Sequence, residues 1–245
     1  MTTQVREDIQ TFIAKAAPFL EYAKKWEEGR PVRRLEEIVK EAGGPEYVAI
    51  ISVDLIKGFC TEGPLASPRV QSLVAPVTLL LQRSHALGIR EFVFTQDSHP
   101  KDSPEFSSFP PHCVEGTSEA EMVDEFKKLP FSHLFTIIPK KSINSAVGTT
   151  LDQWLSGHNH IRKIIAVGDC TDLCLFQLAM HLKLRANVDR LGYEVIVPEA
   201  MSQTYDLPVD VAKNIGAMAH DGDLLHLLFL YQMALNGVQV LKDIK

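Results

Sequence analysis

The sequence predicts an α/β protein, a three-layer sandwich built on a mostly parallel, doubly wound sheet, with an N-terminal helical extension. Three observations predict it. Five short, nearly all-apolar runs recur along the chain: YVAIISV (47–53), EFVFTQ (91–96), LFTIIP (134–139), KIIAVG (163–168) and YEVIVP (193–198). Strands of that composition are buried on both faces, as in a parallel sheet covered by helices. Helical stretches lie between and beside them, at 68–87, 118–128, 145–156 and 172–190, in the alternation that layers helices over a sheet. Ahead of the first run, residues 6–42 carry apolar side chains at helical rather than strand spacing.

Taken in order, Ile9, Phe12, Ile13, Phe19, Leu20 and Tyr22 outline a first amphipathic helix, and Val32, Leu35, Ile38 and Val39 a second. Pro31 suits the opening of the second helix, and Gly43-Gly44-Pro45 closes the segment. The boundary falls near residue 46, giving a helical extension over 1–46 and an α/β domain over 47–245. The strands that follow bring their carboxyl ends to one edge of the sheet, where ligands of such folds bind. Reactive residues stand at those ends: Asp54 after the first run, Asp97 and His99 after the second, Lys140 and Lys141 after the third, Cys170 and Cys174 after the fourth.

Bulk properties narrow the partner. With 45% hydrophobic and 23% charged residues the 245-residue chain has the composition of a globular protein, and a net charge of −6 offers no basic face to nucleic acid. No apolar run reaches the ~20 residues of a membrane span. The N-terminal MTTQVREDIQTF carries mixed charge without the apolar core of a secretory signal, so a cytoplasmic location is expected. Four cysteines are too few for a disulfide scaffold and fit a reducing compartment. No G-x-G-x-x-G or Walker motif follows any strand. A small-molecule substrate is the expected partner.

Three motifs occur in one order: Val53-Asp54 with Phe59; Lys141 four residues before Ser145-Ala146; and Gly168, Thr171, Asp172 and Cys174 spaced as G-x-x-T-D-x-C. A fourth block joins Asp97-Ser98-His99 to Pro104-Glu105 and Phe109-Pro110-Pro111-His112. In these motifs the chain resembles the isochorismatase-like cysteine hydrolases, and within them the nicotinamidases (pyrazinamidases), over roughly residues 47–200. The resemblance implies a catalytic triad of Asp54, Lys141 and Cys174. It also implies an oxyanion hole from the backbone N–H groups of Cys170 and Cys174, and a cis bond between Asp169 and Cys170. Asp97, His99, Glu105 and His112 would form the nicotinamidase metal site, and Phe59 and Phe109 would line a ring pocket. The family is commonly oligomeric, which implies a homo-oligomer.

Residue chemistry supports these roles. A thiolate rather than a thiol attacks a carbonyl, and Cys174 falls in the first turn of a helix, where an anion is favoured. Asp54 can take the thiol proton while Lys141 offsets the negative charge and keeps Asp54 ionised. A depressed thiol pKa is expected of such a nucleophile. Asp97 and His99 point the same way along an extended segment, and the proline-rich loop brings Glu105 and His112 back toward them. One aspartate, one glutamate and two histidines suit zinc, with iron(II) or manganese as alternatives. Flat aromatic walls suit a planar heteroaromatic amide. The expected reaction is hydrolysis of nicotinamide or a related amide through a cysteine thioester. The alternatives are a metal-independent isochorismatase-like hydrolase, a related amidase or carbamoyl hydrolase, and a silent binding module. Ile56, and Glu199 in place of an aspartate, depart from the nicotinamidase pattern and bear on the substrate.

Overall fold

The computed structural model describes residues 8–245. The start of the first helical stretch and most of the N-terminal leader reading lie outside them. Helix α1 (Ile9–Glu28) begins at Asp8, whose carboxylate accepts the N–H groups of Gln10 and Thr11. Strand β1 (Val32–Arg33) and helix α2 (Leu35–Ala42) follow, and α2 ends at Gly43 in the left-handed conformation (φ 98°). The remaining elements are β2 (Val48–Val53), α3 (Lys57–Cys60), α4 (Pro68–Gln71), α5 (Val74–Ala86), β3 (Glu91–Asp97), α6 (Asp124–Lys127), β4 (Phe135–Lys140) and α7 (Leu151–Gly157). After these come β5 (Lys163–Asp169), α8 (Cys174–Asp189), β6 (Glu194–Pro198), β7 (Ser202–Gln203), α9 (Val209–Ile215), α10 (Gly222–Leu235), β8 (Gln239–Leu241) and β9 (Asp243–Ile244).

The main sheet runs β4-β3-β2-β5-β6-β8, with short β7 paired to the last two residues of β5, and every pairing is parallel. The chain moves outward from β2 to β4, then returns to lay β5 on the other side of β2, so the winding reverses between β2 and β5. At such a reversal the connections leave a crevice beyond the strand ends. The register from Val48↔Lys163 to Val53↔Gly168 brings the tips of both strands out together. Gly168 (φ 116°) allows this: a Cβ there would stand 2.0 Å from the Val53 carbonyl oxygen.

Each face of the sheet has its own core. Ile50, Phe92 and Phe94 pack against Leu80, Leu81 and Phe126 on one face, and Ile51, Val93 and Ile164 against Leu151, Leu175, Leu178 and Leu182 on the other. Burying each such side chain stabilises the fold by roughly 1.5–3 kcal/mol. The extension belongs to the same body. Leu35, Ile38 and Ala42 of α2 are fully buried in the first core, and β1 pairs with β9. Phe19, Tyr22 and Trp26 of α1 meet Tyr231 of α10 edge to face. The C-terminal half of α1 thus packs on its own chain, while Ile9, Phe12 and Ile13 stay exposed. Among the described residues no helix is long and apolar enough to cross a membrane.

Candidate active site

Asp54 is the first residue past β2 and adopts a left-handed backbone (φ 58°), uncommon for a residue with a side chain. Two contacts fix it: its N–H donates to the Thr95 carbonyl (3.0 Å), and its Oδ1 accepts the N–H of Asp97 (2.9 Å). Lys140 is the last residue of β4 and sits in register with Asp97. Its Nζ lies 2.7 Å from Asp54 Oδ2, 2.5 Å from Asp97 Oδ1 and 3.6 Å from Cys174 Sγ. Carboxylate oxygens of Asp54 and Asp97 and the Cys174 sulfur all fall within 4.8 Å of one another.

The amine at this centre is therefore Lys140, and the expectation of Lys141 is corrected: Lys141 is exposed. The reason is strand alternation. Ile138 and Lys140 face inward and Pro139 outward, so the lysine with inward parity is the one that ends the strand. Reading β4 as finished at Pro139 hides that parity, and one more residue of strand reveals it.

One buried cation between two carboxylates sets the electrostatics. Burial alone would push the Lys140 ammonium down, but Asp54 and Asp97 outweigh it and hold its pKa well above the ordinary value. Burial, with Asp97 adding to it, raises Asp54 to about 7 against the pull of Lys140. Asp97 also suffers burial, yet Lys140 and His99 hold it below the usual carboxylate range. Burial pushes the Cys174 thiol well up, with Lys140 opposing. Burial thus runs against the depressed thiol pKa expected from the helix position. The resting pair is a thiol beside a carboxylate that titrates near neutrality, suited to passing a proton on demand.

Cys174 opens α8, and the turn before it is closed by the N–H groups of Leu173 and Leu175, both donating to the Cys170 carbonyl (3.0 Å each). The Asp169–Cys170 bond is cis. The Cys170 side chain is buried, its thiol 3.5 Å from Asp169 Oδ2, and burial and Asp169 raise its pKa. Asp169 itself was missed by the sequence reading. It is buried with one carboxylate oxygen unpartnered, and burial and Asp54 hold its pKa well above the ordinary value.

The second block converges beside this centre. Asp97, His99, Glu105 and His112 each place one donor atom within 4.8 Å of the others. The His99 Nε2 is buried with no hydrogen-bond partner. His112 donates from Nδ1 to the Pro110 carbonyl (2.8 Å), which leaves its Nε2 lone pair facing the cluster, 3.9 Å from Asp97 Oδ2. Burial lowers the His112 pKa and favours the neutral, ligating form. Two imidazole Nε2 atoms turned toward Asp97 Oδ2, at 3.5 and 3.9 Å, with Glu105 beside them, fit a divalent cation. Phe59 and Phe109 approach the His112 ring at 5.7 and 6.1 Å. Phe106, which the sequence reading passed over, stands 5.6 Å from both His99 and His112. Its signal was its place beside Glu105 in the loop.

Comparison with known proteins bears on the family and the fold. The isochorismatase domain family matches residues 48–220. A curated relative, nicotinamidase 1 of Arabidopsis thaliana, is 33% identical over 216 residues, covering 80% of this chain and 86% of the relative. A nicotinamidase/pyrazinamidase of Mycobacterium tuberculosis is 29% identical over 145 residues, 54% of this chain and 76% of the relative. Among solved structures, a pyrazinamidase/nicotinamidase from Streptococcus mutans superposes with TM-score 0.61 at 22% identity, covering 79% of this chain and 99% of the other. An N-carbamoylsarcosine amidase from Thermoplasma acidophilum does so with TM-score 0.58 at 23% identity, covering 79% and 94%. At those identities the structures speak to the fold.

Proposed function

The chain belongs to the isochorismatase family, and on that premise we propose that it is a cysteine amidohydrolase of the nicotinamidase type. Its substrate would be nicotinamide or a related heteroaromatic amide, and its products the acid and ammonia. The observation that carries this is the Lys140 ammonium held among Asp54, Asp97 and the Cys174 sulfur, next to a cluster of four metal-type donors.

In the first half-reaction Asp54 accepts the Cys174 proton as sulfur attacks the carboxamide carbon. The negative charge that collects on the carbonyl oxygen is met by the backbone N–H groups of Cys170 and Cys174, each such donor worth about 3 kcal/mol. Asp54 returns the proton to the amide nitrogen, the C–N bond breaks and ammonia leaves. In the second, Asp54 takes a proton from water, the oxygen attacks the thioester, the C–S bond breaks and the Cys174 thiol is restored. Lys140 keeps the paired carboxylates in place while Asp54 cycles between its two states. Asp97, His99, Glu105 and His112 would hold a divalent ion, zinc or else iron or manganese, which supplies a ligand position for a ring nitrogen. Phe59 and Phe109 would flank the ring.

The test compares nicotinamide with benzamide, which lacks the ring nitrogen, by ammonia release from metal-loaded and chelator-treated protein. Nicotinamide is expected to turn over at least about tenfold faster, the kinetic weight of one ~1.4 kcal/mol contact, and His99→Ala should abolish the preference. Equal rates for the two amides with metal bound would refute the ring-nitrogen contact.

A further inference from the structure

A run of polar side chains, buried except at Glu199, leads from the N-terminal extension to the turn that carries Cys174. Arg30 lies just past α1 with its side chain 2% exposed. Its Nε donates to the Glu27 carbonyl (3.0 Å), its guanidinium stands over the Trp26 ring (4.9 Å), and one terminal nitrogen pairs with the Glu199 carboxylate. Glu199 is the first residue past β6, on the same carboxyl edge of the sheet as Asp54 and Cys170. Its other oxygen, Oε1, lies 3.9 Å from Nε2 of His226 on α10, and His226 Nδ1 lies 2.8 Å from the Thr171 hydroxyl. Thr171 is fully buried between Cys170 and Asp172, and its N–H donates to the Gln203 carbonyl (3.0 Å).

The polarity of the chain gives it a direction. Burial drives the His226 pKa down to about 4, so the ring is neutral and carries one proton. A carboxylate near Nε2 favours that proton on Nε2, which leaves Nδ1 to accept from the Thr171 hydroxyl. Arg30 in turn keeps Glu199 in place. Of the four residues, Arg30 and His226 fall outside the span that matches the family, residues 48–220, so the chain joins the extension and the C-terminal helix to the family's turn. Buried charged groups are often replaceable by apolar ones of similar volume without loss of stability, so packing alone does not call for this set.

We propose that Arg30, Glu199 and His226 are positioning residues: they fix the Thr171 hydroxyl and thereby hold the Cys170–Cys174 turn, with its sulfur and its backbone donors, in the reactive arrangement. The proposal rests on Cys174 being the nucleophile. A misplacement on the order of 1 Å at such a site costs about a hundredfold in rate, so the relay should be visible in turnover and in thiol reactivity.

The test uses full-length, metal-loaded protein and three readouts: kcat and KM for amide hydrolysis, the rate of Cys174 alkylation by iodoacetamide, and the thermal midpoint. Arg30→Met and His226→Ala are expected to lower kcat and the alkylation rate at least about tenfold with KM within about twofold, a loss confined to the reacting step. The carboxamide of His226→Asn lies where Nδ1 lies and should restore most of both rates. That of His226→Gln lies where Nε2 lies and should not. If Asn and Gln lower the midpoint alike while the folded enzyme keeps its full kcat and alkylation rate, the role is structural and the proposal is overturned. A full-rate Arg30→Met enzyme overturns it as well. Should the wild type release ammonia from no amide, the hydrolase reading fails, and the alkylation rates still decide whether the relay acts on Cys174.

Discussion

Lys140 is enclosed by groups that all need its charge, and that makes it separable from its neighbour. Removing it leaves Asp54 and Asp97 facing each other without a cation, a loss of about 3–5 kcal/mol for breaking a buried pair. Lys140→Ala is therefore expected to lower amide hydrolysis by at least about a hundredfold, measured well below its melting temperature, and to lower the thermal midpoint. Lys141→Ala should stay within about twofold in rate, as an exposed substitution away from the reacting atoms. A severe loss from Lys141→Ala with Lys140→Ala active would reverse the assignment. The identity of the residue types at this centre was legible in the sequence, since an aspartate, a lysine and a cysteine each follow a strand. The choice between adjacent lysines was not, because it depends on where β4 stops, and strand ends are decided by pairing. The Lys140 position is set by Asp97 on β3, a partner 43 residues away that no local pattern announces.

The extension shows what its helices do when taken one at a time. Leu35 of α2 is fully buried in the core over one sheet face, whereas Phe12 of α1 is 60% exposed. Leu35→Ala is expected to cost about 2–5 kcal/mol in urea unfolding, and Phe12→Ala less than about 0.5 kcal/mol. Similar losses from the two would contradict the packing. Deleting residues 1–45 should accordingly unfold the protein rather than only change its assembly mass. Strands β2 to β6 were readable because nearly all-apolar runs of six or so residues have few other fates in an α/β chain. Helix α10 was not: Gly222–Leu235 is apolar on nearly every side, so it lacks the 3.6-residue contrast that marks a surface helix. The stretch read as one helix over 68–87 breaks at Ser72 and Leu73 into α4 and α5. The stretches read at 118–128 and 145–156 shrink to the short α6 and to α7, which begins only at Leu151.

At the scale of the whole molecule, the candidate site gathers residues from the ends of β2, β3, β4 and β5, so a ligand bound there would tie together strands from both halves of the winding. Zinc added to chelator-treated protein should raise the thermal midpoint, by an amount equivalent to about 2.7 kcal/mol at a hundredfold excess over its Kd. In His99→Ala that rise should shrink or vanish, and an undiminished rise would place the ion elsewhere. The closure of the chain by β1 and β9 has a mechanical consequence. Beside the β1–β9 register, Leu35 N–H donates to the Lys245 carbonyl, Lys245 N–H to Arg33 and Lys242 N–H to Pro31, so the two end segments run side by side in the same direction. A force applied to the two chain ends would draw these parallel strands past each other along their length, loading their hydrogen bonds together rather than one by one. Under tension α1 would peel from α10 first, and the clasp would then resist as a unit before the core over α2 came under load.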